Sequence, residues 1–319
     1  VLDALVDDIG FEQTDDVVAS LRSGTSPYDP EVPGARPEHD WKRVYDAFVE
    51  GGASSEARNV FAAYVVDHDD AELIEERDRA ASDVADLAER SAPWGLPVGV
   101  RNSLELWEID DVMDAVASAD DVLARQGILE SIENSVGVDE PDRAGDAYAT
   151  APRNTTGDVD FTEARGLLDE SIETGEVLEE RVGDIDDLAA TAGTSPPDLG
   201  DISGIDDFAS ALGVADDQLA ALERIVEVDD QLDAASGLTA RVGRWGSDIE
   251  RDLDAARSLV AQGDNDGALT TLQSAQDQID GLAANGARRL AIGGAITFAF
   301  LLVGALLIIR QRRMRRRKV

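Results

Sequence analysis

The chain of 319 residues carries 28 lysine and arginine residues against 67 aspartate and glutamate residues, a formal net charge of −39, and contains no cysteine. The missing cysteine excludes disulfide scaffolds, thiolate metal sites and cysteine nucleophiles. A hydrophobic content of 43% suits one or two globular domains and is too high for a wholly disordered acidic chain.

The charge is distributed unevenly along the chain. Residues 1–289 hold all 67 acidic residues and 21 of the basic ones, a net charge of −46. This composition, with lysine only at Lys42 and Lys318, resembles that of haloarchaeal proteins as a class, which implies a surface suited to molar salt. At about 1 M salt the screening length is only roughly 3 Å, so self-repulsion is weak. The acidic part lacks the clustered cations that binding to nucleic acid requires.

Apolar residues recur at helical spacing through most of the chain, which predicts an all-α fold, an elongated helical bundle built from helical hairpins. Residues 1–37 are predicted as an N-terminal amphipathic segment and a proline-rich linker, and residues 38–135 as a helical region with one short extended piece around Leu96 to Val100. The first residues are acidic and lack an apolar core, so we expect that a signal peptide has been removed or that an upstream segment is missing.

Both histidines of the chain precede an aspartate, in His39-Asp40 and His68-Asp69. The pairs loosely resemble the motif of the HD phosphohydrolases, all-helical metalloenzymes. The resemblance implies His39, His68 and Asp69 as ligands of a divalent metal that activates water. Asp67 interrupts the apolar run before His68, and the residues after the pair are again acidic. These departures favour exposed histidines on an acidic helix, with no metal ligands and no cofactor.

Residues 136–157 are predicted as a linker, and the next segment carries two short motifs. Asn154-Thr155-Thr156 is an acceptor sequon for glycosylation. Asp158 to Thr162 matches the D-x-D-x-T motif of haloacid-dehalogenase-like phosphatases, which implies Asp158 as a nucleophile. No apolar strand precedes the motif, so we expect Asp160 and Glu163 to cap a helix that begins near Phe161.

Residues 158–289 are predicted as a long helical hairpin region. One apolar stripe runs through Ala164, Leu168, Ile172, Gly175, Leu178, Val182, Ile185 and Ala189. A hairpin follows, with apolar positions at Val242, Trp245, Ile249, Leu253, Ala256 and Val260 before the turn and at Leu269, Leu272, Ala275, Ile279 and Leu282 after it. The turn, Asp264 to Gly267, resembles the start of an EF-hand loop but lacks its later ligands. Asn285-Gly286 is predicted as a weak hinge.

Residues 290–309 read LAIGGAITFAFLLVGALLII, in which the hydroxyl of Thr297 is the only polar side-chain group. A helix of this length spans about 30 Å, the thickness of a bilayer core, so we predict one C-terminal transmembrane helix. Seven of the ten residues in the tail 310–319 are basic. Basic flanks stay cytoplasmic, which predicts an N-terminal ectodomain outside and a cytoplasmic C-terminus.

No sequence motif supplies a complete catalytic set, so we predict a non-enzymatic, externally facing, membrane-anchored protein, a structural or protein-interaction module of the cell envelope. The alternatives are a ligand-binding accessory or sensor subunit that works through a membrane partner, and the HD-like phosphohydrolase. The expected partners are the bilayer at Leu290 to Ile309 and anionic lipid at Arg310 to Lys318. A protein partner or a second copy could pack on the small-residue stripe Ala291, Ala295 and Ala299.

Overall fold

The computed structural model describes residues 2–24, 26 and 40–316, with only the backbone described at residues 2, 8, 53–56, 69 and 303–316. Over these ranges the chain is helical and contains no β-strand. One isolated antiparallel bridge joins Arg153 and Val159. The prediction of an all-helical bundle is confirmed. Most of the predicted proline-rich linker lies outside the described residues.

The chain divides into two compact units. Unit 1 comprises residues 1–132 and 141–173, and unit 2 comprises residues 133–140 and 174–319. Two long helices, α7 Ile109–Val136 and α9 Thr162–Ala192, contribute to both units. The helices that begin in unit 1 are α1 Leu2–Ile9, α2 Phe11–Ser23, α3 Trp41–Phe48, α4 Ser54–Tyr64, α5 His68–Arg90, α6 Val98–Leu106, α7 Ile109–Val136, α8 Ala144–Ala149 and α9 Thr162–Ala192. A π-helical turn, Val49–Ala53, joins α3 to α4.

Aspartates start two of the helices that carry the core of unit 1, α3 and α5. The side chain of Asp40 accepts a hydrogen bond from the Arg43 N–H at 3.1 Å, and Asp67 accepts one from the Asp70 N–H at 3.0 Å. Each bond satisfies a donor that the first helical turn leaves unpaired. Helices α1 to α5 and the residue that follows α6 together bury one apolar cluster. It is made of Leu5, Val17, Tyr45, Ala47, Phe48, Ala57, Val60, Phe61, Ile74 and Trp107.

The extended piece predicted around Leu96 to Val100 is wrong, because α6 begins at Val98. Pro97 immediately precedes the helix, and its ring fixes a backbone angle compatible with a helix start. The Gly99 N–H donates to the Ala151 carbonyl at 3.0 Å, and a Cβ at Gly99 would lie 2.7 Å from a Val159 methyl group. A short run of apolar residues does not by itself distinguish a strand from a buried helix.

Unit 2 is a bundle of the second part of α9 and four further helices. These are α10 Phe208–Ala234, α11 Leu238–Arg244, α12 Ile249–Val260 and α13 Asn265–Arg316, and a short 3-10 turn, Leu199–Asp201, precedes α10. Its buried residues include the predicted stripe positions Leu178, Ile185, Ile249, Leu253, Val260, Leu272, Ala275 and Leu282. Asp207 and Ser210 form a reciprocal capping box at the start of α10.

The predicted hairpin between α12 and α13 is confirmed from Ile249 onward, with its turn where the sequence places it. Gly263 adopts a φ of 78°, a conformation that glycine reaches without steric cost. The carboxylate of Asp264 accepts a hydrogen bond from the Gly267 N–H at 3.0 Å. That contact caps the first turn of α13.

Candidate membrane interface

Helix α13 runs without a break from Asn265 to Arg316, and its surroundings change along its length. In its first half Leu272, Ala275 and Leu282 are buried within unit 2. Between residues 290 and 302 seven large apolar residues have exposures between 41% and 74%. They are Leu290, Ile292, Ile296, Phe298, Phe300, Leu301 and Leu302. The helix therefore leaves the bundle as an apolar segment that nothing in the described part of the fold covers.

The exposed apolar residues of α13 point to every side of the helix, because successive residues turn by about 100°. A helix that is apolar all round occurs in the core of a large protein or in a membrane, whereas a surface helix has one apolar stripe. Burying one such side chain gains about 1.5–3 kcal/mol relative to leaving it in water. The segment thus calls for an apolar environment along its whole circumference.

Across the residues whose side chains the structure describes, no helix combines the length and the apolar character needed to cross a membrane. The predicted span, 290–309, is helical throughout, but its residues 303–309 lie outside the range with described side chains. The same holds for the predicted lipid-binding tail from Arg310 onward. The transmembrane helix and the role of the tail stay predictions.

Helix α11 packs against α13 just before the apolar segment, and two glycines make the contact. A Cβ at Gly286 would overlap the Thr239 carbonyl oxygen and lie 2.9 Å from the Gly243 nitrogen, and a Cβ at Gly243 would overlap the Leu282 carbonyl oxygen. The prediction of a hinge at Asn285-Gly286 is therefore wrong. Gly286 lies inside a continuous helix and is a site of close backbone approach.

Arg289 joins α13 to the end of α11. One guanidinium nitrogen donates to the carbonyls of Val242 and Gly243 at 3.2 Å each, and also to that of Trp245. The last carbonyls of a helix have no partner within it and carry partial negative charge, so a cation there is favourable. This interaction fixes α11 next to the residue that precedes the apolar segment.

The sequence pattern misplaced Trp245, which we predicted as part of the buried stripe. Its exposure is 76%, and α11 is a separate helix that ends at Arg244. Helical spacing continues from Val242 to Ile249 only by coincidence, because Trp245, Gly246 and Ser247 form a turn between two helices. One signal was available in the sequence: residues 234–247 contain no acid, which is unusual in this chain.

Comparison with protein-family models, curated proteins and solved structures finds no match. The role of the apolar segment of α13 therefore rests on its helical conformation, its exposed apolar side chains and the charges at its two ends.

The two histidines do not form a described metal site. His39 lies outside the described residues, and at Asp69 only the backbone is described. The side chain of His68 is 89% exposed at the start of α5, with its Nε2 atom 3.9 Å from a Glu72 oxygen. Among the described residues, no three histidine, aspartate or glutamate side chains are grouped so that they could hold a metal ion.

Asp158 and Asp160 lie in the loop before α9 and make local hydrogen bonds. The Thr156 hydroxyl donates to the Asp158 carboxylate at 2.6 Å, and the Asn154 side-chain amide donates to the same carboxylate at 3.2 Å. These two hydrogen bonds lower the pKa of Asp158. Asp160 accepts a hydrogen bond from the Thr162 N–H at 3.0 Å, and its pKa is lowered for the same reason. The helix begins at Thr162, so the predicted role of Asp160 at the helix start is confirmed, whereas the reciprocal contribution of Glu163 stays a prediction.

Two open clefts of unit 1 are also lined by acids. The larger, of about 510 Å³, includes Asp121, Asp158 and Arg165, and the Arg165 guanidinium is 3.0 Å from the Asp121 carboxylate. The smaller, of about 310 Å³, includes Asp16 and Glu50. Partial burial raises the pKa of Glu50. The lining of neither cleft includes a histidine, so neither pairs a nucleophile with an imidazole base.

Proposed function

We propose that this chain is a non-enzymatic, externally facing helical protein that is held in the membrane by the C-terminal part of α13 and acts as a structural or protein-interaction module of the cell envelope. The proposal depends on one observation: a helix packed in a bundle continues as an apolar segment, exposed on all sides, that leads to an arginine-rich end. Lipid is the environment that suits such a segment.

The helical conformation of residues 290–309 supports an anchoring role. In a bilayer no water is available to the backbone, so each N–H and C=O group must be paired within the segment, as an α-helix does. The hydroxyl of Thr297 donates to the Gly293 carbonyl at 2.8 Å, so that polar group is paired too. Twenty such residues span about 30 Å, which matches the hydrocarbon core.

The proposed orientation follows from the charges on either side of the segment. Seven basic residues follow it within the final ten, and Arg288 and Arg289 precede it. Basic residues close to a membrane segment remain on the cytoplasmic side, so this difference supports an orientation with residues 1–287 outside. The acidic surface of that part suits an environment of molar salt, where it remains hydrated while its self-repulsion is screened.

The continuity of α13 supports a presenting role for the ectodomain. Leu272 and Leu282 are buried in unit 2, and the same helix extends into the proposed anchor without a glycine-rich or proline-rich interruption that would act as a flexible linker. Unit 2 is therefore attached to the membrane through a continuous helix. A fixed attachment of this kind suits an envelope protein that contacts other surface proteins.

Charged residues placed in the apolar segment test the anchor. We expect Ile296→Arg combined with Phe300→Arg to release the chain from membranes, because each arginine at the centre of a span costs about 2.5–3.5 kcal/mol. The measurement is the fraction of protein left in the pellet after alkaline carbonate extraction. Gln273→Arg with Ser274→Arg is the matched control, because both positions are exposed on the packed half of the same helix. An unmodified chain that appears in the supernatant contradicts the proposal.

The absence of cysteine allows a direct test of orientation. We expect Ser274→Cys to react with a membrane-impermeant maleimide on intact cells, and Met314→Cys to react only after the membrane is permeabilised. Ser274 is exposed in unit 2, and Met314→Cys leaves all seven basic residues of the tail in place. Labelling of Met314→Cys on intact cells would show the opposite orientation.

A further inference from the structure

Two large apolar side chains of α11 are exposed next to the proposed anchor. Leu238 begins the helix with an exposure of 70%, and Trp245 follows its last residue with an exposure of 76%. The three other tryptophans of the chain, Trp41, Trp94 and Trp107, are buried or half-buried. At the two ends of one short helix, these side chains present apolar surface next to the proposed anchor.

The same region carries a local excess of positive charge. Residues 234–247 contain Arg241 and Arg244 and no acid, and residues 281–289 contain Arg288 and Arg289 and no acid. Packing of α11 against α13 brings these two stretches together, although 46 to 47 residues separate Arg289 from its partners Gly243 and Val242. The four arginines therefore form a basic patch on an ectodomain with a net charge of −46.

The arginines of this patch differ in their bonding. Arg289 is engaged with the carbonyls at the end of α11, and the Nε atom of Arg244 lies 3.7 Å from a Glu250 oxygen. Arg241 and Arg288 are exposed and form no ion pair with a carboxylate among the described residues. These two guanidinium groups retain their hydrogen-bond donors for an external anion.

The position of α11 along α13 defines the depth of the basic patch relative to the proposed membrane anchor. The two helices touch between Leu282 and Arg289, directly before the apolar segment that starts at Leu290. A helix of seven residues is about 10 Å long, so Leu238 and Trp245 both lie within about 10 Å of that contact. If the apolar segment spans the hydrocarbon core, the contact between α11 and α13 lies at the depth of the lipid headgroups.

We propose that α11 and the Arg288-Arg289 pair form a juxtamembrane collar that docks on the outer membrane surface. In the collar, Arg241 and Arg288 bind the phosphate groups of anionic phospholipids, and Trp245 and Leu238 insert at the interface. The inference rests on the proposed function, because it requires α13 to cross the membrane. It adds a specific contact between the ectodomain and lipid headgroups.

The chemistry favours a lipid headgroup over other anions. Guanidinium groups form paired hydrogen bonds with phosphate oxygens, and tryptophan prefers the membrane interface because its ring is apolar and its N–H is polar. In molar salt long-range attraction is screened, so direct hydrogen bonds and apolar insertion must hold the collar. A free anion would use the arginines and leave Trp245 and Leu238 uncovered.

The test uses the full-length chain reconstituted in vesicles of phosphatidylcholine, with or without phosphatidylglycerol, at fixed high salt. The fluorescence of Trp245 is obtained as the difference between the unmodified chain and Trp245→Phe. We expect lipids brominated close to the headgroup to quench this difference signal more than lipids brominated at the chain ends. We expect stronger quenching by brominated phosphatidylglycerol than by brominated phosphatidylcholine.

Arginine variants separate headgroup binding from anchoring. Arg241→Gln with Arg288→Gln should reduce the preference for phosphatidylglycerol several-fold and leave resistance to carbonate extraction unchanged. Arg181→Gln with Arg224→Gln removes the same charge from α9 and α10 and should leave the preference intact. A double variant at positions 241 and 288 that keeps the full preference overturns the assignment of the phosphate-binding residues.

The remaining outcomes also decide the question. If the chain resists carbonate extraction but Trp245 is not quenched, the collar is wrong and the membrane anchor stands. If quenching depends on the ratio of protein to lipid and not on bromination, a second copy covers the face and the collar is wrong. If the chain does not insert, the proposed function itself fails, and the inference fails with it.

Discussion

Replacing Asp46 with alanine should lower the free energy of unfolding of unit 1 by about 3–5 kcal/mol, because buried Arg77 loses its closest carboxylate and keeps that of Asp78, at 3.4 Å. The Arg77 guanidinium is 2.9 Å from the Asp46 carboxylate, and the two side chains are only 1% and 2% exposed. The indole N–H of Trp107 donates to the other Asp46 oxygen at 2.9 Å. The carboxylate therefore pairs with a buried guanidinium through one oxygen and accepts a hydrogen bond from a buried indole through the other.

The surroundings of Arg77 explain why water cannot replace Asp46. The guanidinium lies 5.5 Å from the ring centre of Tyr45 and 5.9 Å from that of Trp107, so aromatic rings enclose it. The Tyr45 hydroxyl donates to Asp78 at 2.8 Å, and burial raises the pKa of Tyr45 far above its usual value. These side chains connect α3, α5 and the end of α6 at the centre of the unit 1 core.

The loss of stability is measured from the denaturation midpoint of the full chain. Unfolding is monitored by tryptophan fluorescence in a Trp245→Phe background. The three remaining tryptophans, Trp41, Trp94 and Trp107, all belong to unit 1, so the signal reports that unit. Asp46→Leu with Arg77→Met should recover most of the loss, because the buried charge is removed with its partner. Asp120→Ala is the surface control, and we expect it to lower the free energy of unfolding by less than about 1 kcal/mol.

Asp120 is a suitable control because it pairs with Arg90 at 2.6 Å while both side chains are about half exposed. Its pair has good geometry and differs from the Asp46 pair mainly in burial. If Asp46→Ala and Asp120→Ala have equal effects, the buried pair is not what stabilises unit 1.

Gly286→Ala should destabilise unit 2 and detach α11, although alanine is usually better than glycine in a helix by about 1 kcal/mol. The added Cβ would overlap the Thr239 carbonyl oxygen, and a backbone atom cannot move aside as a flexible side chain can. Overpacking of this kind costs about 1–3 kcal/mol, and Gly286→Val should cost more. The sign of the effect is therefore opposite to the one that helix propensity predicts.

Gly213→Ala is the matched control for the Gly286 substitution. Gly213 lies inside α10 of the same unit, and no atom lies within 4 Å of where its Cβ would be. We expect this variant to be as stable as the unmodified chain or up to about 1 kcal/mol more stable. Hydrogen exchange of the α11 amides gives the readout, since a detached α11 loses its protection. Equal stabilisation by both substitutions would contradict the close contact of α11 with α13.

Local sequence patterns were sufficient to predict the long elements of the chain. The stripe from Ala164 to Ala189 predicted α9, and the hairpin around Asp264 and Gly267 is present. Both depend on a helical period that continues over many residues and on turn residues with a defined local geometry. The capping role of Asp160 is equally local, since its carboxylate bonds to an N–H two residues later.

Short segments and buried charges could not be predicted in the same way. Val98 to Val100 form the start of a helix because Gly99 fits against Ala151 and Val159, which lie more than fifty residues away in the sequence. In a chain with 67 acidic residues, nothing marked Asp46 as the one that meets Arg77 in the core. Burial of a charge depends on which distant side chains surround it.

The sequence by itself determined the helical class and the apolar character of residues 290–309, because periodicity and composition are properties of a local stretch. Only the tertiary structure decided that Trp245 is exposed and that Gly286 is a contact with no room for a side chain. It also brought Arg241 next to the start of the apolar segment. Such relations depend on how α11 packs against α13, and no pattern within either helix records that packing.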